Sequence, residues 1–402
     1  MQSDATEKAI SMRMQLHHRI IRFLVLLVAA AVLLGSSSDT LVDEMTTQER
    51  IDKNPWWPTK LSSSADKYVG SAACAECHSD IAKSQAQSEM AQSLMPASQS
   101  EYLTAEYGKT LTVDGFNYHI EKTVQGPKFT LEAGSSPVSK TLAWAFGSGK
   151  ISQVYMTPEN DIYNESHFSY FDSIHGFDGT PAQPVLRVAG QDESHESELR
   201  KAIGRRVEMH EVRRCFACHA ANVPAQGPIN NIIAGVTCET CHGPGANHTA
   251  AMRANLPQGI ALIMNPANLR PVDQVDFCGS CHATSMDVQM AGSFGLPSIR
   301  FPAYRLQNSA CWRNDARIQC TACHDPHKPL VRGTAAYDEK CLACHVSGPG
   351  VKPDAVHPGR ACSVATKDCA SCHMPKYEFP DVHHKFTDHD IRIVRQGAPI
   401  PE

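Results

Sequence analysis

The sequence predicts a mainly α fold with extensive irregular loops, broken by one β-containing insert. Three observations predict it. The pattern Cys-x-x-Cys-His occurs seven times, and six of the copies crowd between Cys215 and His373. Cysteine and histidine stand far above ordinary usage, at 16 and 20 in 402 residues. Between the first and second copies runs a stretch of about 130 residues with a different, β-branched and alternating character. Elsewhere the composition is that of a globular chain, 42% hydrophobic and long enough for two or three compact domains. A formal charge of -5 gives no basic excess, so nucleic acid is not an expected partner.

Residues 1–38 read as a signal peptide or N-terminal anchor. Met12, Arg13, Met14, His17, His18, Arg19 and Arg22 make a basic leader, and Phe23 to Leu34 is an unbroken apolar run followed by small residues, Gly35 to Ser38. The run from Ile20 to Leu34 is shorter than the roughly 20 residues that a membrane span needs, which favours cleavage over a retained anchor. The acidic residues before Met12 are unusual in such a leader and point to Met12 or Met14 as the start. Residues 39–67, with Pro55, Trp56, Trp57 and Pro58, read as a linker. A periplasmic or other extracytoplasmic location follows, with attachment to the cytoplasmic membrane through the N-terminal segment as the alternative.

The repeated pattern is Cys74-Ala-Glu-Cys77-His78, Cys215-Phe-Ala-Cys218-His219, Cys238-Glu-Thr-Cys241-His242, Cys278-Gly-Ser-Cys281-His282, Cys320-Thr-Ala-Cys323-His324, Cys341-Leu-Ala-Cys344-His345 and Cys369-Ala-Ser-Cys372-His373. Two thiols three positions apart can add to the two vinyl groups of one haem, and the adjacent imidazole then reaches its iron. Zinc ribbons and redox dithiols also use Cys-x-x-Cys. Neither explains a histidine after the second cysteine seven times in seven. The expected cofactor is therefore haem c, seven per chain, with His78, His219, His242, His282, His324, His345 and His373 as proximal ligands.

Six motifs from Cys215 to His373 leave about 26 residues for each, too few to build separate pockets. Residues 211–402 are therefore expected to form a haem-dense domain, mainly α with loops wrapped around a stack of covalent haems that replaces much of the apolar core. Short helices are expected just after each motif. Residues 68–210 hold the first motif and the insert, in which Thr110 to Val113, Phe116 to Thr123 and Lys128 to Glu132 read as strands. They are separated by turns at Asp114-Gly115 and Gln125-Gly126-Pro127. The insert is expected to cover the first haem and the edge of the stack.

A low-spin haem iron takes a second axial ligand, His or Met. Beyond the motifs and the leader eleven histidines remain: His119, His167, His175, His195, His210, His248, His327, His357, His383, His384 and His389. His327 and His248 follow motifs so closely that each is expected to serve a neighbouring haem. Cys311 and Cys362 lie outside the motifs, and an oxidising compartment favours a disulfide between them.

Tyr68-Val69-Gly70-Ser71 before Cys74, Thr237-Cys238-Glu-Thr-Cys241-His242-Gly-Pro-Gly245, Thr321-Ala-Cys323-His324-Asp-Pro-His327 and Asp368-Cys369-Ala-Ser-Cys372-His373-Met374-Pro375-Lys376 are distinctive. With Phe386-Thr387-Asp388-His389 and Ile391-Arg392-Ile393, they resemble the exported multihaem cytochromes c related to the tetrahaem cytochrome of ammonia oxidisers. The resemblance runs from about Tyr68 to Pro401 and is weaker in the insert. It implies haems packed in alternating parallel and perpendicular pairs, mostly with two axial histidines. It also implies distal ligands at His119, His248, His327, His383 and His389, and places Met90 where relatives carry His or Met, so that Met90 is either a ligand or core filler. His357 completes the set only because a seventh ligand is wanted. The wider group includes hydroxylamine oxidoreductase and pentahaem nitrite reductase, so carrier and enzyme both remain open.

Electron transfer to and from redox partner proteins is the favoured expectation, because all seven motifs end in His and the histidine supply exceeds the demand. The alternative is an oxidoreductase acting on a small nitrogen or sulfur compound at one open haem. Intact mass and pyridine haemochrome assay of the matured protein should both give seven haems per chain; five or fewer would refute the count.

Overall fold

The structure is a computed structural model that describes residues 68–402 except 133–136, 161, 182–197, 225, 315–317, 346–361, 380, 396 and 402. All of them belong to one compact unit, Thr46–Glu402. The expected leader and linker, with the candidate ligand His357, lie outside the described residues. Among the described residues no helix is long and apolar enough to cross a membrane.

Spacing decides how the motifs are built. Positions i and i+3 share a face of a helical turn, so one turn carries both thiols side by side. Helices α1 (Gly70–Ala75), α2 (Met209–His219), α3 (Cys238–His242), α5 (Pro271–His282), α7 (Cys320–Cys323), α8 (Asp338–Leu342) and α9 (Cys369–His373) each hold one or both cysteines of a motif. Helices after motifs also occur, including α4 (Ala246–Arg253), but the motif turn itself is helical, and α2 and α5 end on the motif histidine. Local chemistry sets the starts. Thr237 and Thr240 form a capping box for α3, and Pro271 opens α5 where its missing N–H costs no hydrogen bond. Helix α6 (Pro302–Asn308) packs against α5.

Residues 94–207 fold as two antiparallel sheets. Strands β2 (Thr110–Val113), β3 (Phe116–Thr123), β4 (Gly126–Leu131) and β5 (Val138–Thr141) pair in sequence order. The turn at Asp114-Gly115, with φ of 49° and 82°, joins the first two by the expected hairpin. Strands β1 (Leu94–Pro96), β6 (Trp144–Phe146), β7 (Ser152–Glu159), β8 (Ile162–Phe171) and β10 (Gly204–Val207) form the second sheet in that order, with β9 (Gly176–Gly179) also on β8. The expectation of a mainly α chain is corrected here: helix and sheet are both prominent. Small hairpins, β11 (Ala220–Ala221) with β12 (Ile233–Ala234) and β13 (Lys376–Phe379) with β14 (His384–Thr387), recur beyond the insert.

Alternation along the strands fixes what each face buries. Val113, Tyr118, Ile120, Phe129 and Leu131 from one sheet meet Ala145, Tyr155 and Phe168 from the other, with Tyr118, Phe129 and Phe168 in mutual edge or tilted ring contact. The second sheet is buried on its other face as well. Phe146, Met156, Tyr163 and Val207 pack on Val212 and Phe216 of α2. Arg205 of β10 clamps the same junction, donating to Glu165 at 2.8 Å and Glu211 at 2.6 Å. The insert therefore packs against the helix of the second motif; the expectation that it covers the first haem and the edge of the stack is neither met nor excluded by this contact.

Past the insert, the apolar clusters are small. One contains Val275, Ala303 and Leu306 as its buried members, another Ala283, Val288 and Tyr304, against twelve buried residues in the cluster between the sheets. Such a region needs something besides side chains to exclude water. Phe129→Ala should destabilise the insert by about 3–5 kcal/mol, read as an earlier denaturant midpoint in far-ultraviolet circular dichroism with the haem content unchanged; an unchanged midpoint would contradict this account of the sandwich core.

Candidate haem-attachment sites

The orientation of an imidazole is fixed by the hydrogen bond its non-ligating nitrogen makes. In three motif histidines Nδ1 faces a main-chain carbonyl. His219 Nδ1 is 2.9 Å from Ser93 O, His242 Nδ1 2.8 Å from Met264 O and His373 Nδ1 2.9 Å from Arg392 O. A carbonyl only accepts, so Nδ1 carries the proton and Nε2 presents its lone pair. Gly235, between the second and third motifs, comes close to the segment after the first: its φ is +83°, and a Cβ there would meet Ala91 O at 2.0 Å.

The motifs touch one another through their first cysteines. Cys74 lies beside Cys238, Cys278 beside Cys320 and Cys341 beside Cys369. Cys218 of the second motif lies 3.7 Å from Ser280 O inside the fourth. Motifs one and three are also joined by Glu239, a buried carboxylate within the third motif. It accepts from Val69 N at 2.9 Å, Gly70 N at 2.8 Å and Gly245 N at 2.8 Å, and so satisfies free N–H groups at the start of α1. Asp338 does the equivalent for motif seven, accepting from Asp368 N at 2.7 Å and Cys369 N at 2.9 Å.

Two of the distal candidates stand opposite motif histidines. The His242 and His327 ring centres are 6.0 Å apart with planes 11° from parallel, and the His324 and His389 centres are 6.3 Å apart at 43°. A metal–imidazole bond of about 2.0–2.1 Å, plus roughly 1.1 Å from nitrogen to ring centre, puts two imidazoles on opposite faces of one metal about 6.3 Å apart. By this spacing either pair would have room to hold one iron. His389 Nδ1 lies 3.0 Å from Thr387 O, and desolvation, with the nearby charges of His324 and His282 adding to it, pushes its pKa down to about 4. Its imidazole is thus neutral around pH 7, with Nε2 available. His248 has the same arrangement, Nδ1 at 2.8 Å from Gly259 O, on a helix that Arg253 ties to Glu76 of the first motif at 2.7 Å.

The remaining candidates are placed differently. His119 sits on β3 between Thr110 and Thr130, on the face opposite the buried Tyr118 and Ile120, among strand residues. His383 holds Asp178 of the insert through Nε2 at 2.7 Å, so the nitrogen that would face iron is engaged by a carboxylate. Met90 is half-buried in a turn whose carbonyl accepts from Val236 N at 3.1 Å, beside the third motif. The expected disulfide is not formed. No bridge joins Cys311, half-buried near Cys323 and Cys341, to Cys362, which is exposed with its sulfur accepting from Val364 N.

Sequence reasoning missed Glu239, Asp338 and the carbonyl acceptors. A carbonyl carries no signal in the sequence, but an acidic residue inside a motif does, and Glu239 could have been singled out. The residues fit haem c: paired thiols on one turn, imidazoles whose Nδ1 is engaged by a carbonyl, paired imidazoles at the spacing of one metal, and little apolar core of their own. Among the described residues no three His, Cys, Asp or Glu side chains converge as a structural zinc site requires. Glu239→Ala should leave three N–H groups without their acceptor, at about 1–3 kcal/mol each where no water reaches them, and lower the denaturation midpoint followed in the Soret band, with Glu239→Gln milder; an unaltered midpoint in the alanine variant would remove Glu239 from this role.

Comparison with known proteins agrees with this chemistry. The family model described as cytochrome c554 and c-prime matches residues 176–243, from β9 through the second and third motifs. Multihaem cytochrome MtrA of Shewanella baltica (strain OS185) is 26% identical over 162 residues, 40% of this chain and 39% of that one, so the match spans about two fifths of the relative's length. The crystal structure of outer cell wall cytochrome OcwA aligns with 82% of this chain and 80% of its own at 15% identity and a TM-score of 0.47. The seven motifs and these sequence matches support a multihaem cytochrome of the c type, for which covalently bound haem c is the implied cofactor.

Proposed function

We propose that this chain carries seven haems and passes electrons along them outside the cytoplasm, accepting from one redox partner protein and delivering to another. Covalent haem supplies an iron that exchanges one electron at a time. The protein's part is to hold such groups close together and close their coordination. The observation that carries the reading is the pair of facing imidazoles, His242 with His327 and His324 with His389, at 6.0 and 6.3 Å. An iron with an imidazole on each face has no position for a substrate, which favours a conduit over a catalyst.

The links between motifs support a continuous path. Motif one meets three through Cys74, Cys238 and Glu239; four meets five through Cys278 and Cys320; six meets seven through Cys341, Cys369 and Asp338. His327, just past the fifth motif, faces His242 of the third. The second joins the fourth at Cys218 and Ser280. The segment from His389 to Arg392 touches the fifth and seventh. We assign His327 and His389 as distal ligands of the third and fifth haems and His248 as a further distal ligand; His119 and His383 have weaker support. The match over residues 176–243 favours the group related to the tetrahaem cytochrome of ammonia oxidisers, and the leader reading favours an extracytoplasmic site.

Electron paramagnetic resonance of the oxidised protein should be dominated by low-spin ferric signals that nitrite and hydroxylamine leave unchanged. His389→Ala and His327→Ala should each convert one haem to high spin. A native high-spin haem that binds and turns over such a ligand would replace the carrier by an oxidoreductase acting at one open haem.

A further inference from the structure

Arg305 and Asp388 form an ion pair with no solvent exposure on either residue. The guanidinium fork donates from Nε to Oδ1 at 2.8 Å and from Nη2 to Oδ2 at 2.9 Å. Its Nη2 also lies 3.6 Å from Asp390 Oδ2, and Nη1 donates to Pro401 O at 2.9 Å. A second arginine, Arg392, reaches Asp388 Oδ2 at 2.5 Å and Asp390 O at 2.8 Å. Four charges thus converge on a short segment that the electron-transfer chemistry does not itself require.

Their placement along that segment suggests the purpose. Asp388 and Asp390 turn their carboxylates to Arg305, while His389 between them turns its ring to His324. A displacement of one residue would carry a carboxylate to the place of the imidazole and the imidazole into the buried guanidinium. A bidentate arginine–carboxylate fork tolerates little displacement, so it fixes which residue faces the fifth motif. Ser309 reinforces this register, donating to His389 O at 2.8 Å and accepting from Ile391 N at 2.8 Å. Three residues past His389, Arg392 O accepts from Nδ1 of His373, the motif-seven histidine.

Resting on the ligand assignment above, we infer that Arg305 is a positioning residue: through Asp388 it sets the register of segment 388–392, holding His389 against the fifth haem and the Arg392 carbonyl against the seventh haem's proximal histidine. The pair then does more than stabilise the fold, since one buried contact governs the coordination of one haem and the ligand basicity of another.

Arg305→Lys and Asp388→Asn preserve size and some hydrogen bonding while removing the charged fork, and His389→Ala is the control. In matured holoprotein with an unchanged haem mass, each of the two variants should show a high-spin ferric signal of up to about one iron per chain, and added imidazole should return it to low spin because the vacated position is open. The potential of a second haem should shift with it. If His389→Ala gives a high-spin haem while both variants remain entirely low-spin, the positioning role is wrong and the ligand assignment stands. If His389→Ala is itself fully low-spin, the assignment fails and the inference with it. Loss of several haems together in both variants would also overturn it, because a general stabiliser behaves in that way.

Discussion

The hydrogen bond from a histidine Nδ1 to a main-chain carbonyl is the interaction on which the haem-dense half depends. It is made by His219, His242, His248, His373 and His389, and in each Nε2 is the nitrogen that would be offered to a metal. A carbonyl inside a helix or strand is already committed to its ladder. Ser93, Met264 and Arg392, which accept from three motif histidines, all lie outside helices and strands. Irregular chain therefore serves three of the five, while Gly259 lies in a 3-10 turn and Thr387 ends β14.

The two halves meet the cost of ordering a chain in different ways. The insert does it with aromatic side chains, packing one sheet on another and the second sheet on α2. The remainder has only small apolar clusters and instead places carboxylates against N–H groups and guanidinium groups, as at Glu239, Asp338 and Asp388. Glu239 and Asp388 are buried, and buried charges are tolerable only when fully paired. They specify position more than they add stability, which suits a region whose function depends on the placement of rigid planar groups.

Much of this was legible in the sequence, for identifiable reasons. The seven motifs and the hairpin at Asp114-Gly115 are local patterns whose chemistry or backbone demands allow few alternatives. The extent of the sheet was not legible, because β6 to β8 are buried on both faces and lose the alternation that marks a strand. The placement of the candidate ligands follows the same line. His327 and His389 sit in short segments anchored by neighbouring motifs, whereas His383 depended on a partner, Asp178, more than 200 residues away. The Cys311 to Cys362 bridge was inferred by elimination, which contains no information about distance.

The contacts between thiols of different motifs carry a consequence for biogenesis. Cys74 with Cys238, Cys278 with Cys320 and Cys341 with Cys369 approach one another only when the chain is compact. In an oxidising compartment, thiols brought together before they are alkylated would couple to each other. Each such bridge would join two motifs and leave both unable to take their cofactor. In a chain that carries haem at these motifs, attachment before collapse would keep these sulfur atoms from coupling, and their positions would favour that order of assembly.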